Sequence, residues 1–305
     1  MNVRRTGDEG HRRRRSRPII DWLLQSLRVM FHDTLGAIGL VLVVFFILTA
    51  LLSPYVAPYG PFEVAYNSDR SVARLLPPNG RNLLGTTNQG MDVFSQLLYG
   101  SRIALLVGVL SAIGSVLVGT AVGLFSGYFG GWVDHVLMRL TDIAFGIPFL
   151  PFALIVISVT TPSVWVTIVL ITLFMWRTTA RVIRSQVLSL RERPFIWAAR
   201  AAGASDLNIL FFHIGPNVLP FSFLYAAIGV SAGVMLEAGL SFIGFGDPHV
   251  LSWGQMLNFA FNAGAMRNAW WWVLPPGLCL SLFVTAAFMI TRGYEEVINP
   301  RLREM

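Results

Sequence analysis

An all-α fold that crosses a membrane six times is what this sequence predicts, and three observations predict it. Of 305 residues, 54% are hydrophobic and 13% charged, with a mean hydropathy of +0.62, the composition of a polytopic membrane protein. Six apolar runs are long enough to cross a hydrocarbon layer about 30 Å thick at about 1.5 Å per helical residue. The 23 basic residues are all arginine and are unevenly placed. With the N-terminus inside, only Arg70, Arg74, Arg81, Arg102 and Arg267 fall outside, while Arg177, Arg181, Arg184, Arg191, Arg193 and Arg200 join the inner set. The positive-inside rule then places both termini in the cytoplasm of a multi-pass plasma- or inner-membrane protein.

Residues 1–34 precede the first crossing. Met1–Arg17 carries seven arginines and almost nothing apolar. It reads as a tail that either meets anionic headgroups or simply sets orientation. Ile20, Leu23, Leu24, Leu27 and Phe31 share one helical face beside Trp22, as in a helix lying in the cytoplasmic interface.

Residues 35–101 form the next unit. Leu35–Leu52 is the first crossing, and the Pro-, Gly- and Asn-rich stretch 53–84 is an extramembrane loop. In LLGTTNQGMDVFSQLLYGSR (83–102), Asp92 is placed to cap a short helix leading into the second crossing. The segment reads as a structural hairpin rather than a ligand contact.

Residues 102–305 hold the other five crossings, near 102–127, 137–159, 163–181, 217–238 and 271–291. Gly108, Gly114, Gly119 and Gly123 stud the second, a spacing that admits close helix contact. In the third, Arg139 and Asp142 stand three apart, where they can pair.

Two connections are unusual. In the inner one, 182–216, the stretch RERPFIWAARAAGASDLNILFFHIGP holds two short helical patterns. Pro194 opens the first, at the position where a missing N–H costs least, and Gly203 stops it with a positive φ. Ser205 or Asp206 caps the second, which ends by Gly215-Pro216. An alanine-rich helix and a glycine corner make a smooth knob for another protein's groove; an ordinary inter-helix loop fits the same residues. The outer connection, 239–268, mixes apolar residues with Gly, Pro and Trp and is too broken to cross twice. It reads as a scoop dipping back toward the membrane. Glu237, just before it, reads as hydrogen-bonding support for that irregular backbone, with ligand contact the other option.

Composition also excludes chemistry. Without lysine there is neither a standard phosphate-binding P-loop nor a lysine Schiff base. Cys279 is the lone cysteine and lies in an apolar run, the five histidines lack metal-ligand spacing, and no nucleophile stands with a base. The reading is therefore no enzyme and no metal site. A self-sufficient secondary transporter calls for more crossings, inverted repeats and midplane ionisable groups.

The inner connection resembles the cytoplasmic coupling loop of ABC importer permeases, whose pattern is Glu-Ala-Ala, three residues, Gly, nine residues, then Ile-x-Leu-Pro. Ala198, Ala199, Gly203 and Pro216 fall on that frame, while Trp197, His213 and Gly215 stand where the family has Glu, Ile and Leu. From about Leu83 to Arg303 the chain is similar to the dipeptide/oligopeptide branch, as its C-type permease. The outer turn DPHVL replaces a longer Pro-rich stretch of that branch. The resemblance implies a type I importer permease with six spans. It assigns ATPase coupling to Arg193, Trp197, Ala198, Ala199, Gly203, Ala204, Asp206 and Pro216. The implied partners are a second permease subunit, two ATPase subunits and an extracytoplasmic binding protein, with no nucleic acid. No cofactor is implied in this chain, ATP and Mg belonging to the ATPases. The implied cargo is a short peptide, oligosaccharides and nickel chelates being carried by close relatives.

Overall fold

Asp33 opens the first crossing, its carboxylate accepting the Gly36 N–H at 2.7 Å. Helix α1 (Thr34–Val56) follows and stops at Ala57, which Pro58 forces into extended backbone. This computed structural model describes residues 33–298, with side chains through 294. The arginine-rich tail and the interfacial helix with Trp22 lie outside the described residues.

The stretch after α1, outer by the arginine bias alone like the other segments on that side, holds only isolated bridges, Val64 with Met91, Tyr66 with Val72 and Thr86 with Asp92. Asp92 ends it. One carboxylate oxygen accepts the Ser95 N–H at 2.7 Å, and the other accepts from Asn82 at 2.9 Å. Asp92 therefore caps the crossing itself: α2 (Val93–Phe129) runs unbroken for 37 residues, with no separate short helix before it. Satisfying the first-turn donors lets the helix start nine residues earlier than hydropathy alone suggests.

Helix α2 is the central post, packing along α5 (Val164–Arg191) on one side and α8 (Gly215–Phe242) on the other. Its glycines make this possible. A Cβ at Gly119 would lie 2.5 Å from the Trp176 carbonyl oxygen, and one at Gly123 would lie 2.7 Å from that of Ala180. The third crossing is broken. Helices α3 (Gly131–Gly146) and α4 (Phe149–Val159) meet at an 85° bend, because Pro148 holds Ile147 extended. The run 137–159, expected as one crossing, is thus a bent pair; five helices among the described residues are long and apolar enough to cross singly, and the pair counted as one makes six.

Arg139 and Asp142 do not pair. Asp142 accepts from Arg181 of α5 at 2.7 Å. Asp134 takes a forked pair of bonds from Arg184, both 2.6 Å, and accepts from Ser126 as well. Arg177 donates to the Ala144 carbonyl oxygen, and the Phe145 ring lies under the guanidinium groups of both Arg177 and Arg181. Inter-helix partners win because α5 presents three arginines, one turn apart, to α3. Residues 182–191, expected in the inner loop, are the last turns of α5.

The inner segment then forms α6 (Pro194–Ala201), α7 (Asp206–Asn208) and a π-turn over Ile209–Ile214 that leads straight into α8. On the outer side, α8 gives way to a turn, the short helix α9 (Trp253–Asn262) and the final crossing, α10 (Trp270–Ile298). Two cores result. Phe46, Val93, Trp253, Met256, Trp272 and Phe283 fill the outer half, and Leu124, Tyr128, Ile183, Ile196, Ile209 and Leu210 fill the inner half.

Candidate functional site

The inner segment is built as a small platform. Arg193 takes the N-cap position of α6 with its backbone, Pro194 supplies the first helical residue, and Ile196 points fully into the inner core. The helix closes in a Schellman arrangement: Gly203 N–H donates to the Arg200 carbonyl and Ala204 N–H to that of Ala199, at 3.0 and 3.1 Å. Gly203 sits at φ +84°, and a Cβ there would touch nothing within 4 Å. Its requirement is one of backbone conformation alone.

Ser205 caps the next helix, accepting the Asn208 N–H at 3.4 Å. Asp206, one residue on, does something else. Its carboxylate accepts the Tyr128 hydroxyl at 2.6 Å, which pins the segment to the end of α2. Arg200 lies over the rings of Tyr128 and Trp197, at 6.0 and 5.4 Å. The Tyr128 hydroxyl beside it raises the Arg200 guanidinium above its ordinary value, so Arg200 is cationic throughout. Arg191 adds a second tie, donating to the Gly127 carbonyl oxygen at 3.0 Å.

The second helical pattern does not end at Gly215-Pro216. The Gly215 N–H reaches back five residues to the Leu210 carbonyl oxygen, widening the helix just before Pro216. That widening accommodates a proline ring that would crowd an ordinary turn. Pro216 is therefore carried into α8 as an exposed residue near its start.

What the platform shows to solvent is apolar. Ile209, Leu210 and Ile214 are buried roots, whereas Trp197 is 54% exposed, Leu207 55% and Phe212 74%, with Phe195 and Phe211 also exposed. Ala198, Ala201 and Ala202 lie between them as small exposed surface. Clusters of large exposed apolar side chains rimmed by polar groups occur at protein and membrane contacts alike.

At the other end of α8, Glu237 is buried, and one oxygen accepts from Ser241 at 2.6 Å. The carboxyl faces a very small cavity shared with Thr167, Asp247, Ser252 and Gln255. The outer segment is held by other groups too. Asp247 accepts the Val164 N–H at 3.1 Å, Gln255 donates to the Asp247 carbonyl at 2.9 Å, and Asn258 to that of Phe242 at 2.6 Å. Trp253 donates to the Leu97 carbonyl oxygen at 2.9 Å.

Comparison with known proteins decides what kind of molecule carries this platform. The family model of the binding-protein-dependent transport system inner membrane component matches residues 119–304. The chain belongs to that family. The N-terminal transmembrane domain of oligopeptide transport permease C matches residues 22–78. A Brucella suis protein assigned as a peptide permease is 36% identical over 92% of this chain and 91% of its own length. The dipeptide transport system permease protein DppC of Haemophilus influenzae is 32% identical over 92% and 96%. A solved structure of the MetNI methionine ABC transporter, in inward-facing conformations, superposes with a TM-score of 0.52 at 22% identity, covering 68% of this chain and 96% of that one. That likeness shows the shared fold. This is an ABC importer permease of the inner membrane, with several spans.

In the permease, Trp197, Ala198, Ala199, Gly203, Ala204 and Asp206 come together on one platform. Arg193 stands at its edge, and Pro216 is the second residue of α8. Sequence reasoning missed Tyr128, the partner of Asp206, and the exposed Phe195, Leu207, Phe211 and Phe212. The aromatic cluster GYFGG at the end of α2 was the available signal for Tyr128. Leu207 and Phe211 belong to the second helical pattern of the sequence, where nothing separates residues facing in from those facing out.

Proposed function

We propose that this permease is one of two homologous permease subunits in an ATP-driven importer of short peptides. The observation that carries the reading is the platform: exposed Trp197, Phe195 and Phe212 standing on buried Ile196, Ile209 and Leu210, pinned by Asp206 to Tyr128. Names of relatives as peptide and dipeptide permeases support the cargo. ATP and Mg act on two separate ATPase subunits, consistent with a chain that has no lysine for a P-loop. An extracytoplasmic binding protein delivers the peptide to the face of the scoop. Both termini and the platform lie in the cytoplasm, in keeping with the arginine bias.

The mechanism rests on differential contact. Closure of the ATPases moves the platform, and since Ile196 and the Asp206–Tyr128 bond join it to α2, α5 and α8, the helices move with it. Only a platform gripped differently in the two ATPase states can shift the pore between inward- and outward-facing forms. The test is the double variant Phe195→Ser with Trp197→Ser in a tagged chain. It should insert at wild-type levels and keep its permease partner, but lose co-purifying ATPase subunits and peptide uptake. Retention of both by the variant overturns the assignment of the platform.

A further inference from the structure

Two cavities on the outer half of the permease share Arg102 and Leu106. The deeper one, with a volume near 460 Å³, lies between α1, α2, α8 and α10. Of its fourteen lining residues, thirteen are apolar, among them Val43, Ile47, Val109, Ala227 and Phe283, and the fourteenth is Arg102. The shallower one, near 400 Å³, is bounded by Phe62 of the outer loop, Tyr99 and Arg102 of α2, and His249 of the scoop. No acidic residue lines either cavity.

Arg102 is exposed and has no hydrogen bond or ion pair among the described residues. It sits at the outer end of the groove, which extends along α2 to Leu110, eight residues and about 12 Å deeper. The pair of cavities thus offers a cation and hydrogen-bonding rings at the start of the crossing expected over 102–127, next to an apolar groove.

We propose that the two cavities form one site for a phospholipid with a net negative headgroup, taken from the outer leaflet. One acyl chain fills the groove, and the phosphate meets Arg102 beneath Tyr99 and His249. The chemistry selects this occupant. A peptide laid in the groove would leave backbone N–H and C=O groups without partners in an apolar wall. A partner helix would satisfy the wall but would need an acid at the depth of Arg102. An anionic lipid supplies hydrocarbon and anion in one molecule, and a guanidinium binds phosphate oxygens two at a time. The proposal is independent of the transported cargo.

The test uses the full-length complex in nanodiscs of equal phosphatidylglycerol and phosphatidylcholine, released into detergent, washed, and read by native mass spectrometry. Wild type should retain phosphatidylglycerol preferentially. Arg102→Gln should lower that preference about tenfold, the loss of one charge-assisted contact, and Arg102→Lys should restore part of it. Ala227→Trp, which fills the groove, should lower retention of both lipids. A photoreactive amino acid at Val109 should yield lipid adducts. Unchanged preference in Arg102→Gln, or adducts at Val109 with another protein subunit or with added peptide, overturns the proposal. None of these readouts depends on ATPase docking, so the platform assignment stands or falls separately.

Discussion

The inner and outer interruptions of the helical bundle use similar residues in opposite ways. Inside, α6 and the π-turn turn Trp197, Phe195 and Phe212 outward and keep only isoleucine and leucine roots in the core. Outside, α9 turns Trp253 and Met256 inward to near-complete burial, alongside Trp272, and leaves Phe259 and Phe261 exposed. The outer backbone is fastened by Trp253, Gln255 and Asn258 to neighbouring carbonyl oxygens. The inner one hangs on Ile196, two backbone ties at Gly203, Arg191 and the Tyr128–Asp206 bond. The outer segment is anchored by a buried tryptophan, whereas the inner one buries none of its aromatic side chains. That difference is what the proposed docking of the inner segment on another subunit calls for.

The largest effect that would break this contrast is on the outer side. Trp253→Ala removes a fully buried indole and its hydrogen bond, and should cost about 3–5 kcal/mol. Thermal unfolding of the solubilised complex should shift downward clearly, while the ATPase subunits stay attached. An unchanged melting temperature would mean the outer segment is a flexible lid rather than part of the core.

Next is Gly203→Val on the inner side. Because the new side chain meets nothing within 4 Å, its whole penalty is the positive φ, about 1–3 kcal/mol. Insertion and melting should change little, while peptide-stimulated ATPase activity and uptake fall steeply. Wild-type stimulation from a normally inserted variant would show that the glycine corner plays no part in positioning the platform. Tyr128→Phe should do least: loss of one hydrogen bond to a carboxylate, about 1.5–3 kcal/mol in a dry site and less at this partly solvated one. The expected reading is a lower ratio of transport to ATP hydrolysis, with both subunit attachment and expression preserved. An unaltered ratio would leave Ile196 and Arg191 as sufficient anchors and sharpen the contrast to apolar burial alone.

Most of the fold could be read in the sequence because long apolar runs have few alternatives in a bilayer. Gly119 and Gly123 signal a close helix contact without naming α5 as the partner, and Pro194 and Gly203 mark the two ends of α6. The misreadings have two causes: polar groups are paired by partners distant in the chain, and the effect of a proline depends on the turn beside it. Asp142 met Arg181 rather than Arg139. Pro148 broke a run whose hydropathy never faltered. Pro216 failed to stop a helix because the preceding turn widened to receive it. The platform itself was legible as a pattern but not as a surface. Which of Ile209, Leu210, Phe211 and Phe212 faces solvent depends on the π-turn, and no local signal in the sequence fixes its register.

The helical stretch from Asp206 to Phe242 is one rod of 37 residues, about 55 Å long. Its waist is at Gly229 and Gly233, where a Cβ on either would come within 3.1 Å of Ala112 or Gly108 of α2. Such a contact leaves the rod no room to slide against α2. The arm from the waist to Asp206 measures roughly 40 Å, and it is fastened to the same helix along the way: Ser222 meets Thr120 at 2.9 Å, Val218 and Ile209 are buried in one core with Leu124, and Asp206 accepts from Tyr128. Any displacement of the platform would therefore carry α2 along with α8, as a pair of rods strapped together rather than one rod moving past the other.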